Sequence, residues 1–265
     1  MKQASDNQTP QLLAGKHALV TGGARGIGVA ITRQLLAHGA RVTTLGRGAA
    51  YNSGEPAQRE HAELQHVASD VTDSAAVTKA FEDARSRFGP IEILVNNAGQ
   101  ASSAPFLKTD LKLWRQMLAV NLDGTFHCTQ AALPDMLAAT WGRIINIAST
   151  ASLVGYGYVS AYCAAKHGVI GLTRALALEV ATKKITVNAV CPGYTETDMV
   201  DAALANIVAK TGRTREQALA ELVSRNPQQR LIKPEEVANA VAWLCLPGSE
   251  AITGQAIAVS GGEVM

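Results

Sequence analysis

Residues 17–45 read HALVTGGARGIGVAITRQLLAHGARVTTL. His17 to Thr21 is an apolar run of strand length, and glycines follow at Gly22, Gly26 and Gly28. An amphipathic stretch from Ile27 to Ala37 then runs to His38-Gly39. Gly39 suits a helix C-terminus, because glycine enters the left-handed conformation without a Cβ penalty. Arg41 to Leu45 is a second strand. Strand, glycine turn, helix and strand together make a βαβ unit. The turn has a physical reading. Gly22 permits a tight turn, Gly26 lets the backbone approach a pyrophosphate, and Gly28 lets the helix lie close to the strand. The helix start at Ile27 then offers N–H groups and a positive dipole end to phosphates.

The alternation continues outward from this unit. Residues 46–65 are polar and hold Gly48, Gly54 and Pro56, which predicts a short or irregular second crossover. His66 to Ala68 reads as a third strand, and Asp73 or Ser74 caps a helix to Phe88, stopped by Gly89-Pro90. Ile91 to Val95 is a buried-type strand running into Asn96-Asn97-Ala98-Gly99. A helix over 111–122 is interrupted near Asp123-Gly124 and continues over 125–139. Arg143 to Ala148 is the fifth strand, 160–181 a helix, and Ile185 to Val190 the sixth strand, ending at Cys191-Pro192-Gly193. A mixed-charge, mainly helical insertion spans 194–233. Pro234 opens a helix to Leu246, and Gln255 to Val259 is the last strand. The pattern predicts one α/β domain over 1–265: a Rossmann-type, doubly wound parallel sheet of about seven strands flanked by helices. Residues 1–14 read as a loose polar lead-in.

Bulk properties narrow the function. The chain has 265 residues, 47% hydrophobic and 17% charged, with a net charge of +2. Basic residues are spread along it, leaving no footprint for nucleic acid or an anionic membrane. No run of 18 apolar residues predicts a membrane span, and the first ten residues lack a signal-like apolar run. Four cysteines without a CxxC spacing read as reduced thiols in a reducing compartment, the cytoplasm, and give no metal site.

The chemistry-bearing stretch is Ser149 to Lys166, STASLVGYGYVSAYCAAK. Tyr162 and Lys166 are four apart in a helix-forming segment and share one face. A phenol titrates near ~10, and a fixed ammonium beside it favours the phenolate. Such a tyrosine exchanges protons with a carbonyl or alcohol near neutral pH, while Ser149 holds the substrate oxygen. Cofactor choice is written after the second strand. That region reads Thr44-Leu45-Gly46-Arg47, with no carboxylate for ribose hydroxyls, whereas Arg25 and Arg47 suit a 2′-phosphate. The expected cofactor is NADP(H), with NAD(H) as the alternative. Asp70 either accepts a bond from the adenine amine or caps a helix.

On these motifs the chain resembles the short-chain dehydrogenase/reductase family over about residues 15–262, most closely its 3-oxoacyl-(acyl-carrier-protein), acetoacetyl-CoA and polyketide ketoreductases. The resemblance implies a catalytic set of Asn121, Ser149, Tyr162 and Lys166. Tyr162 would be the proton donor, and Lys166 would bind the nicotinamide ribose and lower the tyrosine pKa. Asn121, at the helix break, would position a water linking Lys166 to solvent. The cofactor set it implies is Gly22, Arg25, Gly26, Ile27, Gly28, Arg47, Asp70, Val71, Asn97, Ala98, Gly99, Tyr162, Lys166, Pro192, Gly193 and Thr195, with Thr195 or Thr197 reaching the carboxamide or a phosphate. Ser260 departs from the usual aspartate before the paired glycines, and Ala148 stands where a second serine is frequent.

The expected activity is hydride transfer between NADP(H) and a carbonyl or secondary alcohol, a 3-oxoacyl thioester or similar β-keto compound. A catabolic dehydrogenase of a cyclic or aromatic alcohol is the alternative. A dinucleotide-sensing regulator is the rival from another class, although a sensor has no use for a proton relay. The substrate is a small molecule, with a CoA or carrier-protein thioester within that range. Family likeness implies a homotetramer through 105–139, 160–181 and the last strand. Tyr156 or Tyr158 is expected to border the substrate. Arg213, Arg215, Arg225 and Arg230 are nearly balanced by acids, which favours a solvated lid over a phosphate grip.

Overall fold

A computed structural model describes residues 11–48 and 62–265. Seven strands form one parallel sheet: β1 His17–Thr21, β2 Arg41–Gly46, β3 Leu64–Ala68, β4 Ile93–Asn96, β5 Gly142–Ile147, β6 Ile185–Pro192 and β7 Ala256–Val259. Their order is β3-β2-β1-β4-β5-β6-β7. The chain winds outward from β1 to β3, returns to place β4 beside β1, then winds outward the other way. The reversal lies between β1 and β4, and an open α/β sheet binds its ligand outside the carboxyl ends at that point. Every residue of β1, β5 and β6 is buried. Such continuously buried strands, without alternation, follow from helices covering both faces.

On one face lie α1 Gly26–Ala37 and α8 Pro234–Cys245. Their Ile31, Leu35, Val237 and Val241 pack with Val20 and Val95 of the sheet. On the other lie α2 Ser74–Phe88, α4 Gly124–Ala139 and α5 Ser160–Val180, with Phe81 and Met136 packed among Leu19, Leu94 and Val187. Asp73, not Ser74, caps α2, accepting from the Ala75 and Ala76 N–H groups. The 194–233 segment holds α6 Asp198–Thr211 and α7 Arg215–Val223. Three of its arginines pair locally: Arg213 with Glu221, Arg215 with Asp201, and Arg230 with Glu236. Among the described residues no helix is long and apolar enough to cross a membrane.

Three expectations need correction or fall outside. The lead-in is not loose up to residue 14: Leu13 is buried in the α1 face of the core, and its N–H donates to the His38 carbonyl. A polar neighbourhood hid that single apolar anchor. The trimmed second crossover rests mostly on 49–61, outside the described residues. The helix interruption expected near Asp123-Gly124 ends there but begins earlier, at Ala119. Between α3 Leu111–Leu118 and α4 lies one wide π turn, Ala119–Asp123, closed by the Gly124 N–H on the Ala119 carbonyl. Gly124 serves packing instead, since a Cβ there would lie 2.7 Å from Val71 Cγ2.

His17 makes the sheet sensitive to acid. Its Nδ1 bonds the Gly89 carbonyl at 2.8 Å and its Nε2 bonds Thr43 Oγ1 at 2.9 Å. Burial lowers its pKa, outweighing the Gly89 bond and the nearby Asp135 and Glu92 charges, with Arg41 acting in the same direction as burial. The folded form therefore binds the proton less readily than the unfolded chain, and the contribution is lost as pH falls through the imidazole range. In thermal melts, the deficit of His17→Gln against wild type should shrink from pH 7 to pH 5.5. A constant deficit would show that His17 does not titrate in the unfolding equilibrium.

Candidate active site

The glycine turn is built against β4. The Gly22 N–H donates to the Leu45 carbonyl at 2.6 Å, and Gly22 has φ +64°. Asn97 Nδ2 donates to the carbonyls of Thr21 at 2.9 Å and Gly22 at 3.2 Å. Thr21 Oγ1 accepts in return from the Asn97 and Ala98 N–H groups, each at 2.9 Å. A Cβ at Gly28 would run into the Gly22 carbonyl oxygen. Arg25, exposed at the N-cap of α1, makes no side-chain cap bond, and the first turn holds no acid. The leading N–H groups of α1 are thus left for an anion, which fits a pyrophosphate. Ile27 is half-buried against the core under this turn.

The adenosine end is less as expected. Asp70 does not cap a helix. Its Oδ1 accepts from the Thr72 N–H and hydroxyl, and its Oδ2 faces Arg47 Nη1 at 3.7 Å. Burial would raise its pKa, but the two Thr72 bonds and the Arg47 guanidinium hold it below the ordinary value. Val71 is buried against Gly124, so its side chain does not line a groove. His66 braces the turn carrying Arg47, bonding Thr44 Oγ1 and the Gly48 carbonyl, each at 3.0 Å.

Beneath the site runs a buried polar ladder. Asn96 Nδ2 donates to Thr129 Oγ1 and to Asn146 Oδ1, and Asn146 Nδ2 donates to Thr173 Oγ1 at 2.8 Å. It ties β4 to β5 and both to α4 and α5.

At the carboxyl end of β5, Ser149 opens a tight turn and accepts from the Ala151 N–H at 3.1 Å. Its hydroxyl also faces the Tyr162 phenol, a contact that favours the phenolate. Burial outweighs it and pushes the Tyr162 pKa up to about 12. Lys166 is 4% exposed, its Nζ donating to the Ile147 carbonyl at 2.8 Å and lying 5.8 Å from the Tyr162 ring centroid. Without a carboxylate beside it, burial drops its pKa to about 8. Burial thus outweighs the lowering of the tyrosine pKa expected from Lys166, whose ammonium points to a backbone carbonyl.

Asn121 also differs from its expected role. Its Nδ2 donates to the carbonyls of Gln100 and Met117, each at 2.9 Å, and its Oδ1 accepts from the Gln100 N–H at 3.2 Å. The side chain brackets the backbone after β4, with both Nδ2 protons and one of the two Oδ1 lone pairs in use. Gly99 stands between it and the lysine: a Cβ there would lie 2.9 Å from Asn121 Oδ1 and 3.7 Å from Lys166 Nζ. At the end of β6, Pro192 is buried and the Gly193 N–H donates to the Val259 carbonyl at 3.1 Å. Thr195 is buried, donating to the Gly193 carbonyl, while Thr197 approaches Gly26 and is the threonine nearer the phosphate turn. Ser260 stays structural, its Oγ accepting from the Val264 N–H at 3.4 Å.

Gln100 and the ladder residues Asn146 and Thr173 were missed from the sequence, and Thr21 was read only as the start of the glycine turn. The only local signal was a polar residue at or next to the end of a buried strand, at Thr21 and Asn146.

The geometry joins a protonated phenol, a hydroxyl and a buried cation at the same sheet edge as an anion-binding helix start. That arrangement belongs to an oxidoreductase of the dinucleotide-fold type. The chain is a member of the short chain dehydrogenase family, whose model matches residues 16–207. It is 37% identical to D-beta-hydroxybutyrate dehydrogenase of Rhizobium meliloti, covering 93% of this chain and 98% of that protein. It is 39% identical to a 3-oxoacyl-(acyl-carrier-protein) reductase of Aquifex aeolicus, covering 94% and 98%. Among solved structures, a variant of actinorhodin polyketide ketoreductase with NADPH superposes with a TM-score of 0.89 at 37% identity, covering 96% of this chain and 99% of that one.

Proposed function

We propose that this chain is an NADP(H)-dependent carbonyl reductase whose substrates are β-keto compounds of the 3-oxoacyl thioester kind. The observation that carries the reading is the meeting of Ser149, Tyr162 and Lys166 beside the glycine turn. The residues present fit the cofactor. The uncapped start of α1 would hold the pyrophosphate, Arg47 with Arg25 the 2′-phosphate, Asn97 to Gly99 the adenosine ribose, and Lys166 the nicotinamide ribose. When bound, NADPH supplies the hydride that reaches the carbonyl carbon.

The chain's own groups manage the oxygen. Tyr162, held protonated by burial, donates its proton to the carbonyl oxygen as that oxygen gains negative charge. The Ser149 hydroxyl donates a hydrogen bond to the same oxygen. The Lys166 ammonium stabilises the phenolate left behind. Oxidation of the alcohol runs the same steps backward. The reading includes one catalytic unit with 194–233 as a lid over the substrate, and a cytoplasmic homotetramer. The assembly is supported by apolar side chains left exposed on α4 and α5, namely Phe126, Leu137 and Leu178.

The test is NADPH consumption over a carbonyl panel that includes acetoacetyl-CoA, β-keto esters and cyclic ketones. β-Keto compounds should be turned over best, and NADPH should outperform NADH. Arg47→Ala should weaken NADPH binding about tenfold while leaving NADH binding near wild type, the loss of one charge-assisted contact. Tight NADPH binding with no turnover of any carbonyl would overturn the enzyme reading in favour of a sensor.

A further inference from the structure

The last residues of the chain fold back onto the site. Tyr156, in the loop between Ser149 and Tyr162, donates toward Glu263 Oε1 at 2.5 Å and lies 2.9 Å from Thr150 Oγ1. A Cβ at Gly193 would lie 2.9 Å from Glu263 Oε2. The carboxylate therefore sits where the substrate loop meets the end of β6. Tyr194 is within electrostatic reach of both Glu263 and Tyr162. Burial, then the bond to Glu263, raises the Tyr156 pKa, so its phenol stays a donor.

Two groups answer this carboxylate, the Tyr156 phenol that donates to it and the Arg225 guanidinium, which reaches the same Tyr194. Residues 150–161 contain no Lys, Arg or His. Arg225 stacks on Tyr156 at 5.2 Å from the ring centroid. Among the described residues it forms no ion pair with Glu263. Half-buried, the acid lies one hydrogen bond from the loop that joins Ser149 to Tyr162 and against the residue that follows β6.

We infer that Glu263 sets the charge selectivity of the substrate pocket. It admits β-keto compounds that are neutral at the far end, such as esters, amides and thioesters, and rejects free β-keto acids. The inference rests on the carbonyl-reductase reading. Like charges a few ångströms apart in a partly desolvated site differ from a neutral contact by enough to change kcat/KM about 10- to 100-fold.

The probes are acetoacetamide and acetoacetate, nearly equal in size and differing in charge, with NADPH as reductant. Wild type should prefer the amide by about 10- to 100-fold in kcat/KM, and Glu263→Gln should shrink that preference at least tenfold. A wild-type enzyme that reduces both equally well would overturn the inference, whether or not the variant folds. So would a variant that loses activity and melting temperature but keeps the wild-type ratio, which is the behaviour of a purely structural tie. Failure of wild type to reduce either probe, any β-keto ester or acetoacetyl-CoA would instead sink the reductase reading on which the inference stands.

Discussion

Tyr162→Phe is expected to lower kcat by about 10²–10⁴-fold, the usual contribution of a positioned general acid. The ring should still pack in its half-buried slot on α5, so folding and NADPH affinity stay near wild type. Only the proton is removed, and no neighbour replaces it. The Ser149 hydroxyl can donate a hydrogen bond but is too weak an acid to give up its proton, and the Lys166 ammonium is turned to the Ile147 carbonyl. Single-turnover reduction monitored alongside cofactor fluorescence separates the two quantities. Turnover at the wild-type level would mean that the proton reaches the oxygen from another group.

Gly28→Ala should have the second-largest effect, acting on cofactor binding and stability together. The added methyl meets the Gly22 carbonyl and lies 2.7 Å from Asn97 Nδ2. Neither neighbour yields easily. Gly22 is tied to Leu45 by its N–H, and Asn97 grips the Thr21 and Gly22 carbonyls. The turn must open, at a cost of about 2–3 kcal/mol for forced overpacking. That corresponds to a fall in Tm of about 5–10 °C for a chain of this size. NADPH affinity should drop by about 100-fold, since the displaced turn carries the anion-binding N–H groups. Gly171→Ala is the control: nothing lies within 4 Å of a Cβ there, and alanine is the better residue inside α5. An unchanged Tm and Kd in Gly28→Ala would show that the turn is looser than its contacts imply.

What the sequence made legible was whatever local rules decide. The glycine turn, the Asp73 cap, the stop at Gly89 and the pairing of Tyr162 with Lys166 are each set by neighbours within a few residues. The parallel sheet followed from alternating elements, because parallel strands need helical crossovers. The rest depends on contacts between distant segments. The Asn121 side chain looked available for water because nothing nearby in sequence announces that Gln100 takes both ends of its amide. The Tyr162 pKa was read from one neighbour, Lys166, whereas the surrounding burial is made by β6 and its following loop. Glu263 carried no signal in the sequence, because only the return of the tail over Gly193 brings it to Tyr156. Leu13 hid in a polar stretch because a single anchoring side chain does not change a window average.

The wide turn at Ala119–Asp123 bears on how this protein can be improved. It interrupts what would otherwise be one long helix from Leu111 to Ala139, and the Met117 carbonyl is served by the Asn121 side chain. Removing one residue there would let the helix close into a regular ladder, a change that a stability-guided redesign would favour. The same deletion would swing Asn121 away from Gln100 and release the backbone that carries Gly99 past Lys166. Helical regularity and the catalytic geometry thus compete for the same five residues, and thermostabilising this chain should begin with other elements.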